Sequence, residues 1–262
     1  MEILIPILTL GILGLLFGIG LAIASKRFAV KTDPMLEVVM GLLPGANCGA
    51  CGGAGCFGFA EGLLNGKFSV DACKVNEEAV KEQIAKLLGK NLEKKTKLVA
   101  TLHCYGGVRV KDRFIYKGIE DCIAANLVLG GQKSCVYGCL GFGDCEKVCP
   151  FGAIKMSEEG LAVVDESKCK ACNKCVLICP KKLFSLVPTI HKVYVACKSK
   201  DLGKETRSVC PVGCIACRKC EQVCPVDAIH VVDNLAIIDY HKCTSCGKCV
   251  EVCPKKTIRV RK

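Results

Sequence analysis

Tryptophan is absent from the 262 residues, and all aromatic residues together make up only 5%. Proteins that bind single-stranded nucleic acid need aromatic faces on which bases stack. The formal charge of +12 therefore does not point to a nucleic-acid partner. Histidine is scarce too: His103, His191, His230 and His241 read as surface or packing residues, with His103 set beside Cys104. Charge is missing altogether from residues 3–24. At 1.5 Å per helical residue that stretch can cross a hydrocarbon core of about 30 Å. A basic segment ahead of it is also lacking, since Glu2 precedes it and Lys26 and Arg27 follow it. This disfavours a cleaved secretory signal. The basic flank predicts a single-pass anchor in the cell membrane, with the rest of the chain in the cytoplasm.

What the chain has in excess is cysteine, 24 residues of it. In a short secreted protein that would suggest a disulfide scaffold. In a reducing compartment the thiolates are available to metal. Three runs have the form C-x2-C-x2-C-x3-C-P, at 169–180, 214–225 and 243–254. This is the ligand spacing of bacterial-type [4Fe-4S] ferredoxins, and it predicts an electron carrier. A fourth run, Cys135, Cys139, Cys145, Cys149 and Pro150, echoes the pattern irregularly. Each cubane with four thiolates carries about −2 when oxidised, so six would roughly cancel the formal positive charge. Lysine pairs such as Lys94-Lys95, Lys181-Lys182 and Lys255-Lys256 then read as solvated counter-charge to the clusters.

The expected architecture is α+β: a membrane anchor over 1–27, a small mainly helical [4Fe-4S] domain over 33–92, and tandem ferredoxin-like repeats over 98–196 and 197–262. Asp33 and Pro34 read as an N-cap and first-turn proline of a helix reaching 43. Cys48, Cys51, Cys56 and Cys73 follow with spacing C-x2-C-x4-C-x16-C, interleaved with glycines 49, 52, 53 and 55 that let the backbone fold around a cluster. Four thiolates would suit zinc as well. Residues 76–97 carry apolar Val80, Ile84, Leu87 and Leu88 at helical period.

The remaining cysteines repeat. Cys122, Cys135 and Cys139 match Cys197, Cys210 and Cys214 in spacing, and Cys145, Cys149 and Pro150 continue in register with Cys220, Cys224 and Pro225, a duplicated two-cluster ferredoxin. A two-residue turn at 233–234 predicts a β-hairpin between the runs of the second copy, and 153–156 with 161–165 the corresponding hairpin of the first. In this fold the fourth cysteine of one run ligates the cluster of the other. Cys214, Cys217, Cys220 and Cys253 thus form one expected site, and Cys243, Cys246, Cys249 and Cys224 the next. In the first copy Phe142 stands where Cys217 would be. We expect Cys135 to replace it beside Cys139, Cys145 and Cys179, with Cys169, Cys172, Cys175 and Cys149 as companion site. Cys104, Cys122, Cys197 and Cys210 are left over. They would either close a sixth cluster between the copies or be buried free thiols.

The segment PGANCGACGGAGC with Cys73, the stretch 121–126 and KSCVYGCLGFGDCEKVCPFGAI at 133–154 resemble the RnfB family, the iron–sulfur B subunits of the Rnf-type ion-translocating ferredoxin:NAD+ oxidoreductase complexes. The resemblance covers nearly the whole chain. It implies an iron–sulfur subunit that accepts electrons from reduced ferredoxin and relays them to membrane-embedded and flavin-bearing partner subunits, in a complex that ends at NAD+ and moves Na+ or H+. The same cysteine pattern would also serve a membrane-anchored polyferredoxin of a hydrogenase or a regulator-reducing complex.

Overall fold

The computed structural model describes residues 4–28, 33–92 and 96–261. Ile3, at the start of the expected anchor, and the pair Lys94-Lys95 lie outside the described residues. The chain divides into two compact units, 1–42 and 43–262. In the first, helix α1 (Leu4–Arg27) ends on Lys26 and Arg27, cations favoured at a helix C-terminus. Its side chains from Ile7 onward are almost all exposed. It is the one helix among the described residues long and apolar enough to cross a membrane. Helix α2 (Pro34–Leu42) starts where the sequence predicts: the Asp33 carboxylate accepts the Met35 N–H at 2.9 Å, and proline fills the first turn without losing a bond.

The second unit opens with α3 (Gly55–Leu64), a short 3-10 turn at 70–72 and α4 (Glu78–Leu88). Phe59, Leu63, Val70 and Ile84 are buried. Phe68 lies against Phe59 with ring centroids 5.6 Å apart, and a Cβ on Gly62 would fall 2.2 Å from that Phe68 ring. Only glycine permits the approach. Helix α4 turns Lys81, Ile84 and Ala85 inward, whereas Leu87, expected on the apolar face, is exposed.

Two similar halves follow. In the first, β1 (Leu98–Leu102) pairs antiparallel with β4 (Phe184–Pro188) around a hairpin of β2 (Ile154–Met156) and β3 (Ala162–Val164). In the second, β5 (Val193–Val195) pairs with β8 (Ile258–Val260) around β6 (Ile229–Val232) and β7 (Leu235–Ile238). Strand β5 thus begins ahead of Cys197, the position from which the second repeat is counted in the sequence. The β6–β7 turn has Asp233 at φ 47° and Asn234 at φ 61°, the left-handed pair of a type I′ hairpin. Short helices α5 (Cys122–Leu127), α6 (Asp144–Lys147), α7 (Lys174–Ile178), α8 (Gly203–Val209), α9 (Lys219–Gln222) and α10 (Lys248–Glu251) carry or adjoin the cysteines. The core of each half is therefore small. Val99, Leu102, Ile154, Leu161, Leu183 and Phe184 pack with Cys169 and Cys175 in one; Val193, Val195, Ile229, Leu235 and Ile258 pack with Cys197 and Cys220 in the other.

Candidate metal centres

The cysteine runs share one backbone. Residues 141, 171, 216 and 245, two after the first cysteine position of each run, all have positive φ, as do 143, 173, 218 and 247 two further on. Alternation of right- and left-handed residues turns successive N–H groups inward, a concavity suited to an anionic group. Five of these eight positions are filled by Ala171, Asn173, Ala216, Arg218 and Ser245, so residues with a Cβ accept left-handed geometry repeatedly. After each fourth cysteine the proline turn ends on another left-handed residue, at Gly152, Lys182, Asp227 and Lys256. In three of these turns the next N–H comes back to the cysteine: Leu183 donates to Cys179 Sγ at 3.4 Å, Ala228 to Cys224 Sγ at 3.2 Å and Thr257 to Cys253 Sγ at 3.3 Å. Such bonds tune whatever metal the sulfur holds.

These turns surround five pockets, each of about 320 to 420 Å³ counted to an open mouth. One is lined by Cys214, Cys217, Cys220 and Cys253, and the next by Cys224, Cys243, Cys246 and Cys249. A third is lined by Cys149, Cys169, Cys172 and Cys175. In all three a fourth cysteine from the other run lies with the three of one run.

The irregular eight correct the sequence reading. The fourth pocket is lined by Cys122, Cys139, Cys145 and Cys179, and the fifth by Cys104, Cys135, Cys197 and Cys210, with Cys139 between the two. Cys122 and Cys135 thus exchange the parts expected of them. The cause is local. Asp121 caps α5 by accepting the Ala124 N–H at 2.8 Å, and Asp144 accepts the Cys122 N–H at 2.9 Å, which fixes the start of that helix beside Cys145. Cys135 instead packs with Cys210 and Val110. Sequence spacing could not have found this, because the bond that decides it joins residues 22 positions apart.

The first quartet is built differently. Burial, and further the neighbouring Cys51 and Cys48, push the Cys73 thiol upward. Cys56 stands at the start of α3, its N–H donated to Asn47 Oδ1 at 2.7 Å. A Cβ on Gly55 would meet that same oxygen at 2.8 Å, so the tight glycine turn expected of this loop is a steric requirement here.

Burial raises other thiols as well: Cys135 and Cys249 to about 11, and Cys145, Cys175, Cys197 and Cys220 to about 12, with neighbouring cysteines adding to the effect. A buried thiol of this kind ionises only when a cation compensates it. Among the described residues no three His, Cys, Asp or Glu side chains converge on a point suited to a single ion. The thiols ring pockets instead, which fits a multi-atom cluster better than tetrahedral zinc with sulfur at about 2.3 Å. His103 is a buried packing residue, as expected: its Nδ1–H donates to the Val195 carbonyl at 2.7 Å and Nε2 accepts from Ser185 at 2.6 Å, while burial holds its pKa at about 4.

Family models match in the same places. A putative Fe-S cluster family covers 43–75, a 4Fe-4S dicluster domain covers 213–258, and 4Fe-4S binding domains cover 139–153 and 162–183. The B subunit of the Na+-translocating ferredoxin:NAD+ oxidoreductase complex of Acetobacterium woodii is 46% identical over 92% of this chain and 73% of its own length. The proton-translocating counterpart of Clostridium ljungdahlii is 44% identical over 88% of this chain and 82% of its own. The B subunit of the ion-translocating oxidoreductase complex of Methanosarcina acetivorans is 42% identical over 95% of both chains. With iron–sulfur domains along its length and full-span similarity to these proteins, the chain belongs to the RnfB family, the B subunits of ion-translocating ferredoxin:NAD+ oxidoreductase complexes, as an iron–sulfur electron-transfer subunit of an oxidoreductase.

Proposed function

We propose that this subunit takes electrons from a reduced ferredoxin on the cytoplasmic side and relays them through six [4Fe-4S] sites to flavin-bearing and membrane-embedded partner subunits of its complex. A bound cluster supplies one-electron redox chemistry at each site. The chain's own part is to hold, space and shield them. The observation that carries the reading is the lining of five separate pockets by at least four cysteines each.

The ligand sets would be Cys48, Cys51, Cys56 and Cys73; Cys149, Cys169, Cys172 and Cys175; Cys122, Cys139, Cys145 and Cys179; Cys104, Cys135, Cys197 and Cys210; Cys214, Cys217, Cys220 and Cys253; and Cys224, Cys243, Cys246 and Cys249. The first five sets approach one another in that order. Cys48 is close enough to influence Cys172, Cys145 to influence Cys175, and Cys104 to influence Cys139. Between the repeats the Cys214 N–H donates to Cys197 Sγ at 3.4 Å. Cys217 and Cys246, in the two sets at the far end, are the exposed cysteines, so an external electron donor would meet the least shielding there.

Anaerobic quantitation of iron and sulfide on the intact chain tests the proposal. About 24 iron atoms with equal sulfide are expected for six cubanes. About 20 would remove one site, and zinc in place of iron would overturn the reading.

A further inference from the structure

The four ferredoxin-type runs differ in the sign of charge at one shared position. The residue before the third cysteine position opens a short helix in each: Lys174 in α7, Lys219 in α9 and Lys248 in α10, but Asp144 in α6. The lysine Lys219, at the matching position of the second copy, is exposed. Asp144 is 5% exposed and lines the pocket of Cys122, Cys139, Cys145 and Cys179. One carboxylate oxygen, Oδ2, is engaged by the Cys122 N–H. The other, Oδ1, is buried without a hydrogen-bond partner. Its nearest compensating charge is Lys147 Nζ at 3.9 Å, on a side chain that is mostly exposed.

We propose that Asp144 is a tuning residue that holds the midpoint potential of the Cys122, Cys139, Cys145 and Cys179 site below that of its counterpart at Cys214, Cys217, Cys220 and Cys253. The inference rests on the ligand sets given above. Uptake of one electron adds one negative charge to the site, and a buried, incompletely compensated carboxylate opposes it more strongly than it would in water. Net charge and hydrogen bonding around the sulfurs are the levers that set such potentials. An exposed lysine at the counterpart position acts in the opposite sense and is weakened by solvent. A purely structural Asp144 would only accept the Cys122 N–H, which an asparagine oxygen does equally well.

The experiment is an EPR-monitored redox titration of the anaerobically isolated full-length holoprotein. Cys122→Ser first marks the signal that belongs to this site. If it alters no signal, the ligand reading falls and the proposal falls with it. With the signal marked, Asp144→Asn is expected to raise its midpoint so that the oxidised-to-reduced ratio at fixed potential changes about tenfold, equivalent to about 59 mV for one electron, with iron content and the other signals unchanged. An unmoved marked signal at full iron content overturns the tuning role and leaves the ligand reading standing. Should Asp144→Asn lose iron, Lys147→Met decides. This exposed substitution removes the partial compensation and is expected to lower the same midpoint; no movement overturns the proposal.

Discussion

Cys122 and Cys135 belong to one stretch of the first repeat yet face different pockets, and the difference rests on two carboxylates. Asp121 and Asp144 together hold the first turn of α5. N-capping of this kind is worth about 1 kcal/mol, which is enough to select one orientation of a six-residue helix. Serine substitutions read out the pairing. Two cysteines of one site are redundant in a double variant, because the site is already lost in either single one. We expect Cys122→Ser combined with Cys145→Ser to lose no more iron than Cys145→Ser alone, and Cys135→Ser combined with Cys145→Ser to lose about twice as much, roughly eight atoms against four. Iron assay with EPR spin counting checks both. The reverse pattern would restore the grouping expected from spacing.

The element that repeats is a loop conformation more than a cysteine spacing. Run 139–145 keeps the same two left-handed positions, Gly141 and Gly143, that Ala216 and Arg218 occupy in run 214–220, although Phe142 has replaced the middle cysteine and packs on Tyr116 at 5.6 Å between centroids. A cysteine returned to position 142 should therefore approach the pocket as Cys217 does. We expect Phe142→Cys to restore iron to the Cys122→Ser variant, measured by iron content and recovery of the marked EPR signal; failure would mean that Phe142 directs the loop away. The regular runs and both hairpins were legible in the sequence because they are local patterns of spacing and turn chemistry. The hairpin at Asp233-Asn234 is the clearest case, its two residues being suited to positive φ. The exchange of Cys122 with Cys135 was not legible, since a carboxylate reaching another segment leaves no periodic trace. Leu87 escaped for a related reason: α4 buries the stem of Lys81 instead, and a lysine stem is apolar although the residue reads as polar.

At the scale of the molecule the repeats are joined by specific side chains. Arg261, next to the end of β8, reaches across to the first repeat: Nη1 donates to Thr101 Oγ1 at 3.0 Å, Nη2 donates to the carbonyls of Pro188 at 3.2 Å and His191 at 2.6 Å, and Nε faces Glu166 at 3.0 Å as an ion pair without an aligned hydrogen bond. Tyr105 stacks under Arg259 at 3.6 Å, and His103 bonds both repeats. The Cys104, Cys135, Cys197 and Cys210 set draws on both repeats and depends on this seam. Arg261→Met leaves the partly buried Glu166 with Lys192 at 3.3 Å as its ion-pair partner among the described residues, and is expected to lower the stability of the seam. On heating, its visible absorption should bleach at a lower temperature than that of the parent, with the signal lost on Cys135→Ser going first. Simultaneous loss of all signals would show that the seam has no separate stability. The anchor is separable in a stronger sense. All 24 cysteines lie between Cys48 and Cys253, within the second compact unit, whereas the exposed apolar side chains from Ile7 to Ile23 are confined to α1. Burying such a surface in lipid is worth about 25 cal/mol per Å², far more than a reversible surface contact. Removal of residues 1–27 is therefore expected to shift the isolated protein from the membrane to the soluble fraction with its iron content and EPR signals intact. Fractionation and iron assay of the same preparation decide it: retention in membranes free of partner subunits would mean that the second unit binds lipid on its own, and loss of iron would mean that α1 supports the sites it adjoins in sequence.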